Sequence, residues 1–164
     1  AGAAGQFAAE LDGLGEPGTA SLRYRGRAEL ADAAAWDDVL AESLAEDCAR
    51  SVTTAGPHRD DLVLEVDGRG LRDFGSTGQQ RSAAIALKLI EITSLRDARG
   101  TEPALLLDDV FAELDEDRQN RLAARLLESA ERQVFITSPR RDELPRNLEL
   151  PVWVVEGGRV RNCS

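Results

Sequence analysis

Apolar positions in the first third of this chain recur at helical spacing. Phe7 and Leu11 begin a short helical pattern that "LGEPG" (residues 14–18) breaks. In "SLRYRGR" (21–27) Leu22 and Tyr24 alternate with Arg23 and Arg25, which predicts a short half-buried strand. Trp36, Leu40, Leu44 and Cys48 then follow at four-residue steps with acids between them, the pattern of an amphipathic helix.

The texture changes at "TTAGPHRDD" (53–61), so we place a boundary near Gly56. It divides the chain into a partial helical unit, 1–55, and a second unit, 56–164. In the second unit "LVLEV" (62–66) alternates, Asp67-Gly68 predicts a hairpin turn, and "RGLRDF" (69–74) predicts the return strand. A helix follows from Ser76 to about residue 98. Residues 104–107 form a short continuous apolar run ending in two acids, as a buried parallel strand does. Asp115 can cap the next helix, with Leu122, Leu126 and Leu127 as its inner face. "QVFITS" (133–138) reads as another buried strand, and 151–160 as a hairpin turning at Gly157-Gly158. The alternation of strand and helix predicts an α/β fold with a largely parallel sheet.

Composition narrows the function classes. A chain of 164 residues holds one ordinary domain, or one domain and a piece of another. A net charge of −10 repels nucleic acid and anionic membrane, so DNA contact needs a local basic patch or further parts. No apolar run approaches a membrane span. Cys48 and Cys163 match no metal spacing or disulfide framework, which fits a reducing cytoplasm. The chain contains no Met, and the expectation is the C-terminal part of a longer protein. Its single lysine, Lys88, lies inside a predicted helix, so the Gly-Lys-Ser/Thr of a phosphate-cradling P-loop is missing from this sequence.

Two stretches carry candidate chemistry. "GSTGQQRSAAIALKLIEI" (75–92) opens a helix with Ser76, Thr77, Gly78, Gln79 and Gln80 and no acid. Such a turn offers N–H groups, a hydroxyl and amides to an anion from elsewhere. The plainer reading, a Ser-capped core helix with solvated glutamines, stands beside it. "ALLLDDVFAELD" (104–115) delivers Asp108 and Asp109 to the C-terminal edge of a strand, where ligands bind in open α/β sheets. Neighbours on a strand face opposite sides, so one acid can hold Mg²⁺ while the other faces an attacking water. The same pair can also merely cap the following turn.

Taken in order, the helix-opening Ser-Thr-Gly-Gln-Gln-Arg, the Asp-Asp strand end, Glu113-Leu114-Asp115 and the hydroxyl-ended strand resemble ATPases of the ABC class. Together with "GPHRDDL" (56–62), they are most similar to the RecF family of recombination mediators, relatives of Rad50 and SMC proteins. The resemblance is dense over 56–138 and thin over 1–50, where only the family's helical arm fits. It implies the C-terminal lobe of an ABC-type ATPase head. In that lobe Ser76, Thr77, Gly78 and Gln79 are the signature that meets ATP bound to the opposite protomer. By the same resemblance Asp108 is the metal-binding acid and Asp109 the water-activating acid, an Asp where Glu is usual. Leu114-Asp115 corresponds to the D-loop, and Thr137 or Ser138 stands where a switch histidine is common.

The resemblance further implies ATP and Mg²⁺ as cofactors, an ATP-dependent homodimer on DNA gap junctions, RecR and RecO as partners, no membrane, and a slow ATPase in gap repair. This chain alone is expected to be inactive. His58 reads first as a turn residue bonded to backbone. Arg59 can reach a phosphate or pair with Asp60 or Asp61, and Arg81 can form a surface ion pair or brace the signature turn. Two rivals are a Toprim-like Mg²⁺ nuclease using Glu91, Asp115 and Asp117, and a non-catalytic ATPase-like dimerisation module.

Overall fold

The computed structural model describes residues 2–26, 32–145, 148 and 150–163. Helix α1 (Ala3–Gly13) is followed by β1 (Ala20–Arg25), α2 (Trp36–Arg50), β2 (Asp61–Val66), β3 (Arg69–Gly70) and the short α3 (Leu71–Phe74). Then come α4 (Thr77–Arg99), β4 (Leu105–Asp108), α5 (Glu116–Leu126), β5 (Val134–Thr137) and the strands β6 (Trp153–Glu156) and β7 (Arg159–Asn162). The fold is α/β with a parallel pair, β4 and β5, set in register from Leu105 opposite Val134 to Asp108 opposite Thr137. The other two sheets are antiparallel: β1-β2-β3, and the β6-β7 hairpin.

Both predicted hairpin turns form where their sequences place them. Asp67 and Gly68 take positive φ, as do Gly157 and Gly158, which suits the tight turns that match strand twist. The return strand is shorter than the alternation suggests. After Gly70 the chain coils into α3, because Leu71 turns inward to the core. Arg27, the end of the predicted first strand, lies outside the described residues.

Helix α1 ends in a Schellman motif. Glu16 N–H donates to the Leu11 carbonyl at 3.0 Å and Gly15 N–H to Asp12 at 2.9 Å, with Gly15 at φ 82°. This ending turns Leu14 inward beside Phe7 and Leu11, and all three are buried with Ala83, Ala86, Leu122 and Leu126 of α4 and α5. Strand β1 pairs along its length with β2, so hydrogen bonding joins residues before and after Gly56. Helix α2 has no buried residue, and its stripe of Leu40, Leu44 and Cys48 is exposed.

Two expectations about inner faces need correcting. On α5 the buried positions are Leu122, Ala123 and Leu126, whereas Leu127 ends the helix and is exposed. The continuous apolar runs of β4 and β5 are half-buried: Leu106 is 79% and Phe135 58% exposed. Among the described residues their second face has no cover, so successive side chains alternate between core and solvent.

Candidate functional site

Ser76 caps α4 in a reciprocal capping box. Its hydroxyl oxygen accepts from Gln79 N–H at 3.2 Å, and its own N–H donates to Gln79 Oε1 at 3.0 Å. Gln80 is not presented to a ligand. Its amide nitrogen donates to the carbonyls of Leu71, Arg72 and Gly75, clamping the approach to the turn. Gly75 is required there, since a Cβ would lie 2.6 Å from the Leu71 carbonyl oxygen. The α4 first turn carries no acid, and Thr77 and Gly78 contribute its leading N–H groups. The cap and the anion-receptive turn are therefore the same structure, and the two sequence readings do not exclude each other.

At the C-terminal edge of the parallel pair, the Thr137 hydroxyl donates to Asp108 Oδ1. Asp108 is exposed, and its second oxygen remains available to a cation, so the arrangement fits a singly coordinating Mg²⁺ ligand. Ser138 turns away: its hydroxyl donates to the Arg140 carbonyl at 2.8 Å and to Glu143. Of the two hydroxyl residues, only Thr137 touches the acidic pair.

The chain leaves β4 abruptly. Asp109 has φ 49° and Glu113 φ 63°, a left-handed conformation that costs a non-glycine residue about 1 kcal/mol or more. Packing holds it there, since Val110, Phe111 and Leu114 are buried. Asp109 N–H donates to the Thr137 carbonyl at 3.1 Å, and its carbonyl accepts from Arg81. Gln119 Nε2 donates to the Phe111 and Leu114 carbonyls at 3.1 and 3.2 Å. Asp115 caps α5 by accepting from Arg118 N–H at 2.9 Å.

Arg81 connects the two turns. From α4 its guanidinium donates to the Asp109 carbonyl and lies 3.5 Å from Glu113. Its guanidinium braces the Asp109–Glu113 turn rather than the Ser76–Gln79 turn, with Glu113 as its ion pair. His58 and Arg59 both bond to backbone: His58 Nε2 is 3.0 Å from the Thr53 carbonyl, and Arg59 Nε donates to the same oxygen at 2.9 Å. They fasten the 53–59 turn, which Asp47 also holds through Thr54 N–H at 2.8 Å. Donation from the Thr54 hydroxyl keeps the Asp47 carboxyl below the usual carboxylate range.

The metal-nuclease alternative is not favoured. Glu91 pairs with Lys88 at 2.7 Å, Asp117 with Arg121 at 2.8 Å, and both Asp115 oxygens are engaged around Arg118. Among the described residues, no three His, Cys, Asp or Glu side chains gather as a metal cluster. None of the described helices is long and apolar enough to cross a membrane. Sequence reasoning missed Gln80, Arg118 and Gln119 as supports of these turns. The Asp115-x-x-Arg118 spacing was the available signal for one of them.

No family model matches the chain. It is 44% identical over 137 residues to a DNA replication and repair protein RecF of Anaeromyxobacter sp. (strain Fw109-5), covering 82% of this chain and 36% of that protein. Over 122 residues it is 47% identical to the protein of the same description from Heliobacterium modesticaldum, covering 71% of this chain and 32% of that one. A solved structure of the recombination mediator protein RecF with ATPrS, in the RecFOR pathway, superposes with a TM-score of 0.65 at 26% identity. The match covers 98% of this chain and 44% of that one. The chain spans about a third of the length of the curated relatives it matches. With this identity along most of its length and the same fold, the chain belongs to the RecF family.

Proposed function

We propose that this chain is the signature and metal-acid half of an ATP-dependent DNA-binding recombination mediator. The observation that carries the reading is the Arg81 bridge, which ties an anion-receptive helix start to an acidic strand end. On this reading Ser76, Thr77, Gly78 and Gln79 meet the γ-phosphate of ATP held by a partner subunit. Asp108 holds Mg²⁺, with Thr137 orienting its carboxylate. Asp109 accepts a proton from the attacking water, and Leu114-Asp115 lies at the dimer interface as the D-loop. ATP supplies phosphate charge that draws two protomers together, and hydrolysis removes it.

The domain division follows the packing on this reading. Helix α2, with no buried residue, is the piece of helical arm, whereas α1 and β1 serve the ATPase half. Activity needs a P-loop, which this sequence does not contain, so the site is completed by further chain and by a second protomer. DNA gap junctions, RecR and RecO are the partners the reading carries, in the cytoplasm.

The test is Ser76→Arg in a full-length protein carrying this segment. On this reading a bulky side chain blocks the helix start and removes a charge-assisted hydrogen bond of roughly 1.5–3 kcal/mol. The variant should bind ATP as a monomer but fail to dimerise with it in sedimentation. Mixed with a P-loop mutant, it should form heterodimers that keep one intact composite site. Normal dimerisation, or loss of monomeric ATP binding, overturns the reading.

A further inference from the structure

Glu16 is a buried acid of the core, its side chain only 2% exposed, and it is placed there by the Schellman ending of α1. Arg118 Nη2 lies 3.0 Å from Glu16 Oε1. The contact is an ion pair without hydrogen-bond alignment, and Glu16 Oε2 has no hydrogen-bond donor. The same guanidinium donates through Nη1 to Asp115 Oδ2 at 3.0 Å. It also covers the α4 start: a Cβ on Gly78 would lie 3.3 Å from Arg118 Nη1. One partly buried cation thus touches the end of α1, the cap of α5 and the first turn of α4.

We propose that Arg118 is a positioning residue that locks the Gly78 turn and the Asp115 turn into one surface, referenced to Glu16. The inference rests on the reading that both turns meet a nucleotide held by the partner. Arginine suits the position because its planar fork reaches two carboxylates at once, whereas a lysine ammonium is a single point charge. Among the described residues the buried Glu16 carboxylate has Arg118 as its one compensating charge, which keeps the guanidinium from swinging into solvent. Glycine at position 78 leaves the room this head group occupies. A shift of α1 therefore moves both nucleotide-facing turns together.

Arg118→Ala leaves Glu16 buried and unpaired and threatens the fold, so the informative variant is the double Glu16→Gln/Arg118→Met. It keeps both volumes and removes the pair. The first measurement is hydrogen exchange on the full-length protein without ATP. The amides of Gln79, Gln80, Arg118 and Gln119 should exchange at least tenfold faster, while those of β4 and β5 stay as in the parent. The second uses the full-length protein: the concentration needed for ATP-dependent dimerisation should rise at least tenfold with monomeric ATP affinity unchanged. Arg118→Lys should fall between parent and double variant. Unchanged exchange at the four amides, or parent-like dimerisation of the double variant, overturns the proposal. If the parent itself does not dimerise with ATP, the functional reading fails, and the exchange result alone decides the role of Arg118.

Discussion

Helices α4 and α5 begin in nearly the same way but carry opposite charge patterns. Each has an oxygen-bearing cap that accepts the N–H three residues on, Ser76 for one and Asp115 for the other. A glutamine near each start reaches back to hold the preceding loop by its carbonyls. The difference is charge. Helix α5 supplies its own anions, with Asp115 as cap and Glu116 and Asp117 in its first turn, while α4 has none. A helix start that neutralises its own dipole is finished. On the proposed reading, one held rigidly by its capping box and clamp but left without an anion is prepared for a ligand. Rigidity without charge compensation separates a receptive turn from a structural one.

The strongest way to break this contrast is at the acidic end of β4. Asp109→Asn in the full-length protein keeps shape but cannot accept a proton, so turnover should fall about 10²–10⁴-fold while ATP-driven dimerisation persists. A steady-state ATPase assay beside sedimentation checks both. Loss of dimerisation would make Asp109 a metal ligand or a structural residue.

Next comes a variant that turns α4 into α5. Thr77→Asp places an anion in the empty first turn. It should stabilise this chain by about 0.3–1 kcal/mol in low-salt urea unfolding, through the helix dipole. In the full-length protein the same change should weaken ATP-dependent dimerisation at least tenfold, since the carboxylate repels phosphate. Stabilisation without any loss of dimerisation would show that the turn meets no anion.

The two caps can be compared directly. Asp115→Ala should cost about 1–2 kcal/mol in chemical unfolding and Ser76→Ala about 0.5–1. Asp115 also binds the Arg118 guanidinium, so its loss removes more. The smallest expected effect lies away from both turns, at Asp47. Its carboxyl is depressed in the folded chain, so its contribution is present above the ordinary carboxylate range. That contribution fades as pH falls through the lower folded value. Asp47→Asn should therefore destabilise the chain slightly at neutral pH, with the difference closing in acid.

Local chemistry was readable along the chain wherever one residue decides one bond. Asp67-Gly68 and Gly157-Gly158 are turns because they accept positive φ, and Ser76 and Asp115 are caps because their oxygens reach the next helix's N–H groups. The order of motifs also named the family. Contacts between distant residues were not readable, because charge and apolarity in a sequence do not state their partners. Phe7 and Leu11 looked like a fragment of an arm, yet the Schellman turn folds α1 onto α4 and α5 and makes them core. Trp36 to Cys48 looked amphipathic, yet α2 buries none of that stripe. Glu16 and Arg118 lie 102 positions apart by residue number, and nothing in either neighbourhood announces their pairing. Sequence determined which turns and caps form, since those depend on bonds a few residues long. Tertiary packing alone decided which distant charges meet, because burying Glu16 became possible only once three separate elements closed around Arg118.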